Sequence, residues 1–213
     1  LLTASDDGTA RVWDAHTGKE LLKLSDHPGW VWNAAFSPDG RKIATVSGNT
    51  AYIWDADSGR KLFILAGHKG EIYGVAFSPD GTRLATGSAD RKIKLWSSTT
   101  GKELFTLAGH TGAVYGIGFS PEGSRLVSGS DDGTVRVWDL TPAHELMTIS
   151  TPDDSSGQIA FNADGTRLAT TNEKGAISLW DAHSGKKLLT LRNSESQVKD
   201  LAFSADGAHV ISA

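Results

Sequence analysis

A chain of 213 residues, 38% of them hydrophobic, is long enough to bury a sizeable core. Its formal net charge of −4 excludes the basic footprint of nucleic-acid binding, and its lack of cysteine excludes disulfides, thiolate metal sites and cysteine nucleophiles. No apolar run approaches the roughly 18 residues of a membrane-spanning helix, so we predict a cytoplasmic protein that binds neither nucleic acid nor membrane.

A tryptophan recurs at intervals of 41 or 42 residues, and aspartate follows it in four of five cases. Such a period is typical of stacked or ring-shaped repeat proteins. Because a side chain that recurs five times is expected to build a scaffold, the repeat has to be interpreted before any single residue. We number the repeats 1 to 5 after their tryptophans, which are Trp13, Trp54, Trp96, Trp138 and Trp180.

Each repeat carries four short strand-like runs. The first run ends at a turn such as Ser-Pro-Asp-Gly, in which proline sets a tight turn and glycine accepts a positive φ. The third run ends at the tryptophan, and Val135 and Val137 alternate there with polar residues. The pattern predicts an all-β fold with four antiparallel strands per repeat, the form of a β-propeller blade. The predicted strands are 32–36, 73–77 and 115–119 for the first run, 42–47, 83–88 and 125–130 for the second, 134–138 for the third and 102–108 for the fourth.

Two Gly-His pairs, Gly67-His68 and Gly109-His110, place a histidine 28 residues before a tryptophan. With Trp138-Asp139 they resemble the Gly-His and Trp-Asp signatures of the WD-repeat β-propeller family, and the resemblance covers the whole chain, 1–213. The more regular repeats also resemble those of bacterial WD-repeat proteins. The resemblance implies one part of a multidomain signalling or assembly protein, with kinase or nucleotide-triphosphatase modules elsewhere in that protein.

The two ends of the chain fall at the same point of the repeat. Residues 1–8 align with 126–133, so the chain begins at a second strand, and it ends at a second strand five periods later. We therefore expect three strands of one blade, four complete blades and two strands of another. With Leu1 in place of a methionine and no signal-peptide pattern, we expect a piece of a longer chain. Because the resembled family most often has seven blades, the resemblance implies an open fragment of a larger ring of about seven blades. A closed ring of five blades is the alternative.

Serine, histidine and aspartate recur together in repeats 3 and 4, a set that could indicate a hydrolase triad. Their recurrence favours a structural role, because no enzyme needs a triad in each blade. The resemblance implies that the aspartate binds the histidine, the histidine binds the serine and the serine meets the indole N–H. We predict no catalytic residue, metal site or cofactor. The predicted networks are His68, Ser88, Asp90 and Trp96, and His110, Ser130, Asp132 and Trp138.

Other repeats depart from this set. Repeat 2 combines His27 and Ser47 with Asn49 at the aspartate position, and repeat 1 keeps Ser5 and Asp7. Repeat 5 has lost the set, with three replacements. Either this repeat has drifted, or its loop has been rebuilt for contact. The replacements are Pro152, Asn172 and Lys174.

In the resembled family, two positions per blade face the narrow end of the channel. Here the first position carries aromatic residues in three successive blades, and acidic residues flank them. Aromatic rings and carboxylates together favour a lysine or arginine side chain. The alternative is that the aromatics fill the upper core, but Trp30 and Trp32 lie on either side of the apolar Val31, so on a regular strand they cannot point inward together with it. The predicted partner-binding residues are Trp30, Trp32, Tyr73, Tyr115, Asp6, Asp131 and Glu173.

These features predict a non-catalytic protein–protein interaction scaffold that binds a partner peptide or loop with a basic anchor residue at the propeller face. The alternative is a small-ligand-binding or enzymatic propeller that uses the central channel. The basic residues of the third strands, Arg11, Lys94 and Arg136, are expected to lie on solvated strand faces.

Overall fold

The computed structural model describes residues 1–141, 143–151, 156–172, 174–192, 198 and 200–212. Regular structure in these residues is β-strand alone, in twenty-one strands. In chain order they are β1 Leu2–Ala4, β2 Ala10–Trp13, β3 Glu20–Leu24, β4 Val31–Phe36, β5 Lys42–Ser47, β6 Thr50–Asp55, β7 Lys61–Ala66, β8 Ile72–Phe77, β9 Arg83–Ser88, β10 Lys92–Ser97, β11 Glu103–Ala108, β12 Val114–Phe119, β13 Arg125–Ser130, β14 Thr134–Leu140, β15 Ala143–Ser150, β16 Ser156–Phe161, β17 Arg167–Asn172, β18 Ala176–Asp181, β19 Lys187–Arg192, β20 Leu201–Phe203 and β21 Val210–Ser212.

The strands form six antiparallel sheets in which consecutive strands are neighbours. The first sheet has three strands (β1–β3), the next four have four strands each, and the last has two (β20 and β21). The prediction of an all-β fold built from four-stranded antiparallel blades is confirmed. The predicted second strands are placed to the residue, whereas the first strands begin one residue earlier than predicted, at Val31, Ile72 and Val114.

The chain divides into two compact units, Leu1–Thr106 and Leu107–Ala213. In the first unit, Leu65 of β7 and Trp96 of β10 belong to one buried cluster, so a fourth strand packs against the tryptophan of the following blade. In the second unit, Ile149 of β15 and Trp180 of β18 have the same relationship. The core of each unit is therefore built between successive blades as well as within them.

The turn between β10 and β11 illustrates how closely two blades of the first unit approach. Gly101 has φ of 69°, and a Cβ atom built on it would lie 2.7 Å from Cδ1 of Phe63 on β7. Gly18 occupies the same position in the turn between β2 and β3, with φ of 68°, but a Cβ atom there would meet nothing within 4 Å. Glycine is thus required at both turns for conformation, and at Gly101 also for space.

The described residues include no helix long and apolar enough to cross a membrane.

Candidate partner-binding site

A β-bulge opens the first strand of the blades that carry the exposed aromatic residues. In β4, Val31 pairs with Ser47 and Asn33 with Val46, so Trp32 is an extra residue without a partner in the ladder. In β8 the register shifts in the same way around Tyr73. Alternation along the strand leaves Trp32 exposed beside the buried Val31, and the bulge leaves Trp32 without a second-strand residue opposite it.

Three aromatic rings of the first unit, Trp30, Trp32 and Tyr73, form an aromatic cluster. The ring centroids of Trp30 and Trp32 lie 5.5 Å apart, and those of Trp32 and Tyr73 lie 5.6 Å apart. Both contacts are edge-to-face, the geometry that aromatic quadrupoles favour. Trp30 is 55% exposed and Trp32 is 40% exposed. Two large apolar rings are therefore held in a defined geometry at the surface, not in the core.

Backbone and side-chain hydrogen bonds connect the strands that carry the cluster. The amide of Asn33 on β4 donates to the carbonyl oxygen of Tyr73 on β8 over 3.2 Å. The backbone N–H of Val31 donates to the carbonyl of Ser5 over 3.1 Å, which brings the turn after β1 to the start of β4. The exposed Asp6 follows Ser5 directly in this turn.

A carboxylate that the sequence analysis missed belongs to the cluster. The hydroxyl of Tyr73 donates to Oε2 of Glu71 over 3.1 Å, and Glu71 is exposed. The signal was available, because residues two apart on an extended segment point to the same side. The cluster thus combines aromatic faces with an acceptor for a cationic group.

In the second unit, the predicted residues Tyr115 and Asp131 contact each other. The Tyr115 hydroxyl donates to Oδ2 of Asp131 over 3.1 Å, and Asp131 is exposed. The third predicted acid, Glu173, lies outside the described residues. The role of Glu173 and that of the Tyr115–Asp131 pair in partner binding stay predictions.

Each blade takes the number of its repeat, so blade 3 is the sheet β8–β11. Below its surface, a hydrogen-bond network joins the loop before β8 to the sheet. Nδ1 of His68 lies 2.9 Å from Oδ2 of Asp90, and Nε2 of His68 lies 2.9 Å from Oγ1 of Thr86. The indole N–H of Trp96 donates to the same Thr86 hydroxyl over 2.9 Å. Histidine, aspartate and tryptophan are therefore linked as the resemblance implied, but the bridging hydroxyl is that of Thr86.

The assignment of Ser88 and Ser130 as bridging residues is wrong. In blade 4, Ser128 binds both Nε2 of His110 and the indole of Trp138. The register explains the error: Trp96 pairs with Leu84, so its indole reaches the diagonal neighbour Thr86, whereas Ser88 lies two residues farther along the same face. Blades 1, 2 and 5 use hydroxyls at the position of Thr86 as well, namely Thr3, Thr45 and Thr170.

Ser88 and Ser130 serve the turn instead. Ser88 donates to the carbonyl of Gly70 over 3.0 Å and accepts from the backbone N–H of Asp90 over 3.1 Å. Ser130 accepts from the backbone N–H of Asp132 over 3.2 Å. These serines stabilise the turn that presents the aspartate.

The expectation that blade 5 has lost the whole set is also corrected. Its Trp180 still donates to Thr170 over 3.0 Å. Asn172 accepts from the backbone N–H groups of Lys174 and Ala176, over 3.1 and 2.8 Å, and so caps its turn. Pro152, at the histidine position, lies outside the described residues.

Burial sets the charge of the network histidines. It lowers the pKa of His68 and of His110 by more than the carboxylates of Asp90 and Asp132 raise it, so both rings are neutral at neutral pH. Because a carboxylate can only accept, Nδ1 carries the proton and Nε2 accepts from the hydroxyl. With both ring nitrogens bound to neighbouring side chains, neither histidine is available as a catalytic base.

Hydrogen bonding sets the charge of the aspartate in blade 4. Burial raises the pKa of Asp132, but hydrogen bonds from the Thr134 hydroxyl, the Thr111 backbone N–H and His110 outweigh burial and lower the pKa to about 2. Asp132 is therefore a carboxylate over the whole range in which the protein is expected to work.

The basic residues of the third strands are not simply solvated, contrary to expectation. Each is paired with a glutamate of the neighbouring fourth strand, and the Lys94 side chain is only 12% exposed. These ion pairs lie across the sheet beside the tryptophan. They are Arg11–Glu20 at 3.0 Å, Lys94–Glu103 at 2.8 Å and Arg136–Glu145.

Within the described part of the chain, no group of three or more histidine, aspartate or glutamate side chains is arranged to hold a metal ion.

Successive four-stranded antiparallel blades, each with a third-strand tryptophan bound to a second-strand hydroxyl, define a β-propeller built from WD repeats. Residues 30–213 match the family model described as the IFT122 first beta-propeller, and residues 1–14 match that of the WD domain, G-beta repeat. The chain belongs to the IFT122 first beta-propeller family.

Curated relatives match the chain over single repeats. Coronin-7 of Mus musculus is 48% identical over 46 residues, which are 22% of this chain and 5% of that protein. Ribosome assembly protein 4 of Chaetomium thermophilum is 44% identical over 43 residues, or 20% of this chain and 8% of that protein. Nuclear distribution protein PAC1 of Mycosarcoma maydis is 41% identical over 46 residues, or 22% of this chain and 10% of that protein. The matched segments thus span a tenth or less of each relative's length, and the resemblance to bacterial WD-repeat proteins stays a prediction.

Proposed function

We propose that this chain is a protein–protein interaction module that binds a peptide or loop of a partner protein at the aromatic cluster. The observation that carries the proposal is the exposure of Trp30 and Trp32 in fixed edge-to-face contact. Tryptophan and tyrosine are enriched among the residues that dominate binding energy at interfaces. Because their geometry is fixed before binding, little side-chain entropy is lost when a partner covers them.

The chemistry of the cluster favours a lysine or arginine of the partner as the anchor. The Glu71 carboxylate lies against Tyr73, and the ring faces of the tryptophans attract cations. Asp6 adds a second exposed carboxylate next to the start of β4. A guanidinium or ammonium group at the cluster would gain both an ion pair and a cation–π contact.

We also propose that the module is non-catalytic. The described histidines that accompany serine or threonine and aspartate are buried and bound at both ring nitrogens. The relatives include a protein named for ribosome assembly and one named for nuclear distribution. A role as a cytoplasmic scaffold within a multidomain signalling or assembly protein is consistent with the names of these relatives.

The test is selection of peptides from a random library displayed on phage, with the immobilised chain as the target. We expect enrichment of peptides with a lysine or arginine, and one enriched peptide is then titrated by fluorescence polarisation. Trp32→Ala should weaken its binding about 30-fold, the effect of losing a hot-spot residue worth about 2 kcal/mol.

Ile64→Ala is the matched control, because Ile64 is an exposed apolar residue on β7 of the same unit, 61% exposed against 40% for Trp32. It should leave the affinity unchanged, and circular dichroism should show the same fold in all variants. Equal binding by wild type and Trp32→Ala would place the interaction elsewhere, and selection without basic residues would contradict the anchor.

A further inference from the structure

A fourth-strand lysine lies over the blade tryptophan in blade 5, where Lys187 is 4.9 Å from the ring centroid of Trp180, and in blade 2, where Lys61 also contacts Asp26 and Tyr52. Nζ of Lys61 on β7 lies 2.6 Å from Oδ2 of Asp26 and 3.0 Å from its carbonyl oxygen. The same nitrogen lies 4.8 Å from the ring centroid of Tyr52 and 4.9 Å from that of Trp54. The ammonium group is thus enclosed by two rings and two oxygen acceptors.

Three positions of blade 2 differ together from blade 3. Where blade 3 has a third-strand Lys94 paired with a fourth-strand Glu103, blade 2 has Tyr52 and Lys61. Where blade 3 has Gly67, packed against Trp96, blade 2 has Asp26. In blade 2 the cation of the ion pair lies on the fourth strand instead of the third, and the carboxylate lies in the segment before β4 instead of on the sheet.

That segment, 25–30, leads directly into the aromatic cluster. Its His27 contacts the Gly8 carbonyl over 3.1 Å and Thr45 over 2.8 Å, and its Gly29 carbonyl accepts from Ser47 over 3.0 Å. Trp30 is the last residue of the segment. Lys61 of β7 therefore adds an attachment at Asp26, four residues before Trp30.

We propose that Lys61 is a positioning residue for the aromatic cluster: through Asp26 its ammonium group fixes the segment 25–30 and with it the indole of Trp30 against Trp32. Its significance for partner binding rests on the proposed function, but its effect on the cluster does not. In blades 3 and 4 the corresponding ion pair joins the third strand to the fourth, whereas in blade 2 it couples the outer strand to the recognition surface.

The test uses the chain labelled with 5-fluorotryptophan, whose seven tryptophans give separate fluorine resonances. Trp30→Phe and Trp32→Phe assign the two resonances of the cluster. In Lys61→Met we expect both resonances to shift and that of Trp30 to narrow, because its ring loses the fixed contact with Trp32. Lys61→Arg should restore the wild-type positions, since arginine can bind Asp26 and lie over the same rings.

Lys94→Met is the matched control, because Lys94 has the same ion pair and lies over Trp96 in blade 3. It should shift the Trp96 resonance and leave those of Trp30 and Trp32 in place. If Lys61→Met does not fold, Asp26→Asn removes the same ion pair by changing its exposed partner, since the Asp26 side chain is 86% exposed. This variant should shift the same two resonances, those of Trp30 and Trp32.

Unchanged Trp30 and Trp32 resonances in a folded Lys61 or Asp26 variant would overturn the inference. The peptide selected on the wild-type chain should bind Lys61→Met about fivefold more weakly, the effect of a partly exposed ion pair and cation–π contact on one element of the site. A chain that selects no peptide would contradict the proposed function. The role of Lys61 in positioning Trp30 would still be decided by the fluorine spectra, because they require no ligand.

Discussion

The indole N–H of Trp96 donates to the hydroxyl of Thr86, and both residues are buried. The same bond joins a third-strand tryptophan to a second-strand hydroxyl in each of the five repeats. It persists where the histidine or the aspartate of the network is replaced, so the tryptophan–hydroxyl pair is the constant part of the blade.

Thr86→Val should destabilise the chain by about 3 kcal/mol, because it leaves the indole N–H of Trp96 and Nε2 of His68 buried without partners. Ser88→Ala, two residues away on the same strand, should cost only about 1 kcal/mol, since it removes turn contacts alone. Unfolding in urea measures both. An equal decrease in the free energy of unfolding would mean that the Ser88 hydroxyl contributes as much to stability as the Thr86 hydroxyl.

The free energy of unfolding should fall as the pH drops from about 7.5 to about 5. Burial lowers the pKa of His68 and His110 in the folded state, so the unfolded chain binds protons first. Their contribution is thus complete above the unfolded-state pKa of 6.5 and is lost as the pH falls below it. The double variant His68→Gln/His110→Gln should show a shallower fall over the same range. A wild-type stability that rises on acidification would contradict the neutral assignment.

At lower pH, Asp132 should add a second loss of stability. Its pKa is lowered from 3.8 to about 2 in the folded state, so its contribution is present above 3.8 and disappears as the pH falls from 3.8 towards 2. Asp132→Asn should remove this part of the acid transition, as followed by circular dichroism. An unchanged transition would show that the carboxylate contributes nothing in this range.

Gly101→Ala should cost more than Gly18→Ala, although both glycines have the same φ. Each substitution brings the strain of a left-handed alanine, about 1 kcal/mol. At Gly101 the new methyl group also meets the Phe63 ring, which should add about 1–3 kcal/mol of overpacking, whereas Gly18 faces open space. Thermal unfolding compares the two variants. Equal midpoints would show that the structure relieves the contact with Phe63 without losing stability.

Trp32→Ala should lower the free energy of unfolding by about 1–3 kcal/mol, the loss of two edge-to-face contacts worth about 0.5–1.5 kcal/mol each. Trp96→Ala should cost about 3–5 kcal/mol, because Trp96 is 3% exposed and its removal leaves a cavity. Denaturant titration distinguishes the two. A large loss in Trp32→Ala would support the interpretation that the aromatic residues fill the core.

Period and turn chemistry were sufficient to predict the blades. The second strands were placed correctly because each lies between a proline–glycine turn and a second turn, as in Arg83–Ser88. The first strands were harder, since a bulge at Trp32 or Tyr73 breaks the alternation by which a strand is recognised. Such a bulge depends on tertiary packing and has no signature in a single sequence.

The site could be predicted by residue type but not by contact. Thr86 and Ser88 lie on the same face of one strand, and only the register with β10 shows which of them the indole reaches. The role of Lys61 was invisible for a related reason: its partner Asp26 lies 35 residues earlier, in a segment whose path depends on three separate attachments.

The bulge has a consequence for sequence variation. Because its extra residue takes no part in strand pairing, a substitution there changes the surface while the pairing of the strands beneath is retained. Trp32 and Tyr73 occupy this bulge position in blades 2 and 3 with different aromatic side chains. Under the proposed function, substitutions at these two positions would change binding specificity without removing a pair from the strand ladder.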